Sequence, residues 1–289
     1  MQRYRVGSIL NEGAFSSVFQ AFTDTGDLVA IKKLKHSFRT WQECMELREV
    51  KALKRLSHPN IIKLREELRA GEELYFVFDY CERTLYNVMK SLSQPLRDEH
   101  IRLVMHQILS ALAYLHKTGL IHRDIKPENI LCNGLGSIRL CDFALSREVT
   151  TIQPLTGYVS TRWYRAPELL CRSEVYGSPV DMWAAGVVMV ELFLLRPLFP
   201  GTSEVDMLSK VGSVLGPMKD HWEGGLGLLE AAGVELKHDP TSSTPLSGML
   251  ATVNSQAVDL IEQLLRWNPD QRLSAEAALM HPFFETPSN

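Results

Sequence analysis

Long apolar runs are missing from this sequence, and so is an apolar stretch near its start. The most hydrophobic run, residues 184–195, is too short to span a bilayer and lies between Asp181 and Arg196. It therefore predicts a buried core helix. Without an apolar leader we expect no secretory signal peptide. Together these features argue against a membrane protein and favour an intracellular one.

Cysteine pairs and an excess of positive charge are also missing. The five cysteines form no Cys-x-x-Cys pair and no compact cluster with histidine, which argues against a structural zinc site. Such a scattered, odd set predicts reduced thiols in an intracellular protein. Lys plus Arg number 31 and Asp plus Glu number 34, so the net charge is −3. Broad binding of nucleic acid requires a basic face, so we expect no nucleic-acid partner.

The first 80 residues read mostly as β-strands. Short apolar-rich runs separated by Asn-Glu-Gly and Asp-Thr-Gly-Asp turns predict an antiparallel meander. A helical spacing of apolar residues then predicts one helix over residues 40–56, ended by the Ser-His-Pro-Asn segment. The predicted strands cover residues 4–10, 17–23, 28–34, 61–68 and 74–79.

Beyond residue 80 the apolar periodicity becomes helical. One stripe runs from Ile101 to Leu115, and Gly119 is placed to end that helix. A segment rich in Gly, Pro and Ser, residues 216–246, predicts an irregular surface insertion. The other predicted helices cover residues 180–195, 204–215, 255–265 and 274–280. The sequence therefore predicts an α+β fold, with a small strand-rich lobe followed by a larger helical lobe.

Four short motifs follow one another along the chain. They are Val29-Ala30-Ile31-Lys32, the ten residues 122–131 (His-Arg-Asp-Ile-Lys-Pro-Glu-Asn-Ile-Leu), Asp142-Phe143-Ala144, and Ala166-Pro167-Glu168. In this order and spacing the chain resembles the eukaryotic protein kinases over essentially its whole length. The resemblance implies a two-lobed kinase domain over residues 1–289. Its implied parts are an N-lobe (1–78), a hinge (79–82), a C-lobe (83–289), an activation segment (142–168) and an insertion at about 216–250.

Phosphoryl transfer from ATP needs a cation on the phosphates, metal-binding groups and an acceptor for the hydroxyl proton. By resemblance, Lys32 holds the α- and β-phosphates and is oriented by a glutamate on the following helix. We choose Glu49 for that role, and Glu46 and Glu43 on the same stretch are the alternatives.

The remaining catalytic roles are implied by the second and third motifs. Asn129 and Asp142 would bind Mg²⁺, whose preference for oxygen ligands they suit. Asp124 would act as catalytic base, and Lys126 would neutralise the transferring phosphate, as in serine/threonine kinases. Thr161 would bridge Asp124 and Lys126.

The adenine pocket is expected at the end of the fifth strand. Phe78 would be the gatekeeper, although plain core packing is the alternative, and the backbone of Asp79 and Cys81 would meet the adenine edge. The other expected ATP contacts are Leu10, Gly13, Val18, Ala30 and Leu131. Three structural roles are also expected: His122 packs near Phe143, Asp181 holds the catalytic-loop backbone, and Arg272 pairs with Glu168.

Two positions depart from the kinase pattern. Only Gly13 remains of the three glycines in the phosphate loop, which predicts altered nucleotide affinity. Ala144 replaces a glycine, and forcing alanine to a positive φ costs roughly 1 kcal/mol. We expect restricted flipping of the Asp-Phe segment with metal binding retained. The alternatives are a nucleotide-binding pseudokinase that serves as a scaffold and, with less support, a small-molecule kinase.

The segment before Ala-Pro-Glu narrows the resemblance. Residues 156–158 read Thr-Gly-Tyr and residues 163–165 read Trp-Tyr-Arg, as in the group of mitogen-activated and cyclin-dependent kinases. With residues 41–51, this segment is similar to the male-germ-cell-associated (RCK) kinases. Those kinases usually carry Asp or Glu where this chain has Gly157.

The narrower resemblance implies a switch and a substrate preference. Thr156 and Tyr158 are the expected phosphorylation sites, with an upstream kinase as a possible activator, and Arg48, Arg123 and Arg147 are expected around the phosphate on Thr156. Val159 and Arg165 would form a pocket for proline after the target Ser or Thr. The expected protein is a cytoplasmic monomer; a cilium, a flagellum or the nucleus is suggested by family resemblance only.

Overall fold

The computed structural model describes residues 3–149, 161–234 and 245–285. A five-stranded antiparallel sheet, with strand order β1-β2-β3-β5-β4, forms the smaller lobe. Its strands are β1 (Tyr4–Glu12), β2 (Ser16–Thr23), β3 (Leu28–Leu34), β4 (Leu64–Ala70) and β5 (Glu73–Asp79). The prediction of an antiparallel meander is confirmed. The register places Val18 opposite Lys32, and Ala30 opposite Phe78.

The helix predicted over residues 40–56 is wrong as one continuous element. The structure has α1 (Trp41–Met45) and α2 (Arg48–Arg55), separated at Leu47, whose ψ is an extended 134°. Met45 and Leu47 both pack against the core. Two positions apart in one helix, these side chains would point about 200° from each other. The break therefore lets both apolar side chains reach the same core.

The larger lobe is mainly helical, as predicted, and the fold is α+β. Its helices are α3 (Leu85–Ser91), α4 (Asp98–Lys117), α5 (Pro167–Leu170), α6 (Pro179–Leu194), α7 (Glu204–Leu215), α8 (Glu223–Ala231), α9 (Leu246–Met249), α10 (Ser255–Leu264) and α11 (Ala275–Leu279). Short strands form two further small sheets, β6-β8-β9 and β10-β7. These strands are β6 (Arg83–Thr84), β7 (Leu120–Ile121), β8 (Ile130–Cys132), β9 (Ile138–Leu140) and β10 (Arg147–Glu148). Gly119, with φ of +77°, follows α4 as predicted.

The insertion expected to be irregular contains a helix. Within its described part, α8 packs through Leu229 and lies beside a turn at Met218–Asp220. Its glycines, including Gly225, allow the Trp222 ring to lie close to the helix backbone, where a Cβ would collide with that ring. Glycine normally disfavours helix, so the glycine-rich composition of this segment did not predict α8. In the described part of the chain, no helix is both long and apolar enough to cross a membrane.

Candidate active site

Lys32 on β3 lies at the meeting point of the two lobes. Its Nζ atom is 2.7 Å from Glu49 Oε1 on α2 and 3.1 Å from Asp142 Oδ1 in the loop after β9. Burial opposes the ammonium charge, but these two carboxylates outweigh it and raise the pKa of Lys32 above its usual value. Lys32 is therefore a fixed cation. Neither alternative glutamate contacts it, since Glu46 pairs with Lys51 and Glu43 accepts from a backbone amide.

The loop after β7 is held by one buried carboxylate on α6. Asp181 accepts hydrogen bonds of 2.8 Å from the backbone amides of both His122 and Arg123, and it lies 2.9 Å from Nε2 of His116. Arg123 has a φ of +71°, a left-handed conformation that a non-glycine residue adopts only when its surroundings enforce it. The clamp by Asp181 supplies that enforcement and orients the residue that follows, Asp124.

Asp124 is surrounded by the polar groups of its own loop. Lys126 Nζ donates to Asp124 Oδ2 at 2.8 Å, and Asn129 Nδ2 donates to the same oxygen at 2.7 Å and to the Asp124 carbonyl at 2.9 Å. The carboxylate is nearly buried, with 9% of its side chain exposed. A carboxylate positioned this firmly can accept a proton from a hydroxyl group brought beside it.

The Asp-Phe-Ala segment carries its backbone strain at Asp142. That residue has a φ of +64°, whereas Ala144 is not among the described residues with a positive φ. The alanine therefore incurs no left-handed strain in this conformation. Phe143 is fully buried, and its ring packs edge-to-face on His122 with 4.8 Å between centroids. The Asp142 side chain keeps 40% of its surface exposed. Its partial desolvation favours a higher pKa, but Lys32 outweighs this and holds the pKa of the carboxyl below its usual value.

The donor set around Asp142 suits a magnesium ion. Among the described residues, the Asn129 side chain bonds only through its nitrogen, and Asp142 pairs with Lys32 through one oxygen. Each side chain therefore has a further oxygen for a ligand. The described residues hold no group of three or more His, Cys, Asp and Glu that could bind a metal alone. Mg²⁺ commonly combines one or two protein oxygens with substrate phosphates, which fits this pair.

The residues predicted to contact the nucleotide lie mostly on the five-stranded sheet, and Leu131 lies on β8. Leu10 is exposed, with 42% of its surface accessible. Val18, Ala30 and Leu131 are half-buried. Apolar side chains left open in this way can receive a flat aromatic ligand. Gly13 lies at the β1–β2 turn, where its amide donates to Ser16 O at 2.9 Å. The further predicted positions are Phe78, which is buried in the core, Asp79 at the end of β5, and the half-buried Cys81.

Two of the predicted phosphate-binding arginines stack on one tyrosine. The Arg147 guanidinium lies 4.1 Å, and that of Arg123 5.4 Å, from the centre of the Tyr176 ring. Burial and the nearby Arg123 and Arg48 side chains lower the pKa of Arg147. The three guanidiniums are therefore close enough to repel one another, and a dianion would relieve that repulsion. Tyr176 was not predicted.

Part of the predicted switch falls outside the described residues, namely Thr156, Tyr158 and Val159. Thr161 is exposed, and its role as a bridge between Asp124 and Lys126 stays a prediction. Thr161 and the half-buried Arg165 nonetheless line the same small cavity as Asp124.

Comparison with known proteins decides the family. The protein kinase domain matches residues 4–284 of this chain. The chain belongs to the protein kinase family. Serine/threonine-protein kinase MAK of Homo sapiens is 46% identical over 287 residues, which cover 99% of this chain and 46% of that protein. Serine/threonine-protein kinase ICK of Mus musculus is 44% identical over the same share of this chain, covering 45% of its own length. Cyclin-dependent kinase F-4 of Oryza sativa subsp. japonica is 45% identical, with 62% of its length covered.

The predicted resemblance to the male-germ-cell-associated kinases is thus confirmed. The chain spans about half the length of the MAK and ICK relatives that it matches. Both relatives are named as serine/threonine-protein kinases.

The buried carboxylate of Glu191 was not predicted from the sequence of this kinase. Glu191 lies in the apolar run of α6, where it accepts hydrogen bonds from the Tyr164 hydroxyl at 2.9 Å and from the Leu198 amide at 3.3 Å. Burial raises the pKa of Glu191 to about 7. One Glu128 oxygen is also buried and has no hydrogen-bond partner among the residues that the structure describes. A single carboxylate inside a run of apolar residues was the signal that should have marked Glu191.

The raised pKa of Glu191 makes the kinase less stable as the pH rises. The folded state holds the proton more tightly than the unfolded state, whose pKa is near 4.5, so the stabilisation from protonation is lost as the pH rises through about 7. We expect Glu191→Gln to increase the free energy of unfolding by about 2 kcal/mol at pH 8 and far less near pH 5. Urea unfolding at both pH values measures this.

The exposed Glu276 provides the matched control, since Glu276→Gln should leave stability unchanged at both pH values. A Glu191→Gln variant that is less stable than the wild type at every pH would contradict the prediction.

Proposed function

We propose that this chain is a serine/threonine protein kinase that transfers the γ-phosphate of ATP to a Ser or Thr hydroxyl. The observation that carries the proposal is the position of Lys32 Nζ between Glu49 and Asp142. That arrangement fixes one cation beside a partly exposed carboxylate at the junction of the lobes. It supplies the positive charge and the metal-binding group that phosphoryl transfer requires.

Different residues would bind the phosphates, the adenine ring and the metal ion of the nucleotide. Lys32 would contact the α- and β-phosphates while Val18, Ala30 and Leu131 flank the adenine ring. Asn129 and Asp142 would hold Mg²⁺, which when bound neutralises phosphate charge that the protein alone leaves exposed. The reduced glycine content of the loop at Gly13 is expected to change nucleotide affinity, because side chains limit how closely its backbone approaches the phosphates.

The acceptor side is supplied by the loop that Asp181 clamps. Asp124 would orient the substrate hydroxyl and accept its proton, and Lys126, now 2.8 Å from Asp124, would move toward the transferring phosphate and neutralise its charge. Asp124 and Lys126 thus act on opposite sides of one transfer. Thr161 remains a proposed link between them once a substrate is present.

A preference for proline after the target residue is part of the proposal. Arg165 lines the cavity beside Asp124 and stands next to Tyr164 in the Trp-Tyr-Arg segment, and Val159 precedes it in the sequence. Most residues after the target Ser or Thr would bring a backbone amide hydrogen that needs an acceptor. Proline has no such hydrogen, so it suits a pocket that offers no acceptor.

The direct test is incorporation of phosphate into a Ser-Pro/Thr-Pro peptide library with ATP and Mg²⁺. An inactive Asp142→Asn preparation serves as the blank. Incorporation into Ser or Thr followed by Pro supports the proposal, and incorporation without that preference removes its specificity. Nucleotide binding without any transfer, even after phosphorylation of Thr156, would favour the pseudokinase scaffold.

Activation by phosphorylation of Thr156 is a further expectation. A phosphate there would add nearly two negative charges. Pairing of that phosphate with Arg48, Arg123 and Arg147 would join α2, the catalytic loop and the activation segment. We expect Thr156→Ala to lower kcat/KM by about 50-fold relative to the phosphorylated protein. Peptide assays before and after treatment with an activating kinase measure this loss.

The neighbouring Thr151 offers a matched control, because Thr151→Ala removes a hydroxyl from the same segment without touching the Thr-Gly-Tyr motif. Tyr158 is the proposed second site and is tested by mass spectrometry of the active protein. If Thr156→Ala were as active as the phosphorylated wild type, Thr156 would not be the switch.

An intracellular, monomeric kinase remains the proposed form. All five cysteines are free thiols, as expected in a reducing compartment. Burial raises the pKa of Cys81, Cys132, Cys141 and Cys171, which keeps these thiols protonated and poorly reactive. Sedimentation of the purified chain tests the monomeric state.

A further inference from the structure

A cleft of about 280 Å³ opens between the turn after α2, the end of β5 and strand β9. Its lining residues are Leu56, Ser57, His58, Pro59, Ile61, Lys63, Asp79 and Arg139. Apart from Asp79, whose predicted nucleotide contact is made by its backbone, none of these residues belongs to the proposed catalytic or nucleotide machinery. The cleft is therefore a separate surface feature of the kinase.

Positive charge prevails in this cleft. Asp79, its only lining carboxylate, already contacts two guanidiniums: Arg65 Nε at 2.6 Å and Arg139 Nη1 at 3.5 Å. Lys63 is exposed and forms no ion pair with any described residue. The cleft and its edge thus hold three cations and one carboxylate, so the cleft attracts anions even though the whole chain carries a net charge of −3.

The floor and one wall of the cleft are apolar. Ile61 is buried at its base, and Leu56 is half-buried beside it. The His58 ring stacks on Tyr114 with 5.1 Å between centroids, and burial lowers the pKa of His58, which keeps this ring neutral near pH 7. A simple inorganic anion would leave that apolar surface unused. A ligand with carboxylates beside one apolar side chain would use both parts.

We propose that this cleft binds an acidic linear peptide segment of a protein partner. Carboxylates of the segment pair with Lys63 and with Arg139 at the rim, while one aliphatic side chain rests on Ile61. The volume of the cleft admits a single side chain of that size with its neighbouring backbone. Such a segment would tether a substrate or regulator to the kinase without entering the site of phosphate transfer.

The test is fluorescence anisotropy of a fluorescein-labelled peptide of Glu and Asp residues around one central Leu. Saturating non-hydrolysable ATP analogue is present throughout, so that the nucleotide slot is filled. Charge reversal by Lys63→Glu should weaken binding about tenfold, whereas Lys63→Arg should change it by less than about twofold. Ser57→Glu, at an exposed rim position, should weaken binding independently.

Lys210 on α7 serves as the matched control, and Lys210→Glu should leave peptide binding unchanged. Absence of saturable binding, or equal losses in Lys63→Glu and Lys210→Glu, would overturn the proposal. A peptide with Gln in place of its Leu that binds as tightly as the original would also overturn it, because the apolar floor would then play no part. Activity of Lys63→Glu on a short neutral Ser-Pro peptide should equal that of the wild type. Failure of the docking proposal thus leaves the proposed transferase function standing.

Discussion

Replacing Asp142 with asparagine is expected to reduce phosphate transfer about a thousandfold while leaving the fold intact. The substitution preserves the shape of the side chain but removes the charge that attracts both Mg²⁺ and Lys32. Lys32 keeps its 2.7 Å contact with Glu49, so the ammonium group stays paired. The defect should therefore lie in the catalytic step and in nucleotide binding with Mg²⁺, as shown by kcat and by KM for ATP.

An exposed carboxylate gives the control for this substitution. Asp220→Asn removes one negative charge from an exposed turn before α8, and none of the catalytic motifs includes this residue. We expect it to match the wild type in both kinetic constants. Thermal melting of Asp142→Asn within a few degrees of the wild type would show that the lost activity is not lost folding. An Asp142→Asn protein with more than about a tenth of the wild-type kcat would contradict the assigned metal-binding role.

Arg272→Met is expected to lower the free energy of unfolding by about 4 kcal/mol. The Arg272 guanidinium pairs with Glu168 through two bonds, of 2.6 and 2.7 Å, and both side chains are buried. Its remaining donors reach backbone carbonyls of Arg266, Trp267 and Pro179. Removing the arginine leaves a charged carboxylate in the core without a partner, and desolvation makes that state costly.

Urea and thermal unfolding measure this loss, which corresponds to a melting temperature lower by about 10 °C for a domain of this size. The exposed Arg172–Glu204 pair, 3.1 Å apart, provides a matched comparison. Arg172→Met should change stability by less than about 0.5 kcal/mol. Adding Glu168→Gln to Arg272→Met should recover part of the loss, because the buried charge is then removed. A stability change in Arg272→Met no larger than in Arg172→Met would refute this role.

The local pattern of the sequence was sufficient where one element or one motif carried the information. The apolar stripe of α4 and the glycine at its end predicted that helix, and the four ordered motifs predicted the protein kinase fold. His122 beside Phe143 and the pairing of Arg272 with Glu168 were also predicted from the motifs. In each case the information needed for the prediction lay in residues close together in the sequence, either as a spacing or as a motif.

Local pattern was not sufficient where packing against distant residues chose the outcome. The break at Leu47 follows from the need of two apolar side chains to reach one core, which periodicity alone does not reveal. Among three nearby glutamates only Glu49 meets Lys32, because only α2, beginning after that break, presents its carboxylate to β3. The stacking of Tyr176 on two arginines joins segments that have no sequence signal in common.

The sequence by itself determined the α+β fold and kinship with the protein kinases, because ordered motifs and apolar periodicities are properties of neighbouring residues. Tertiary structure alone decided which charges pair, which stay buried and where open surface remains. The raised pKa of Glu191 and the cationic cleft at Lys63 both arise this way, since solvent exclusion and charge proximity depend on residues brought together from distant parts of the chain.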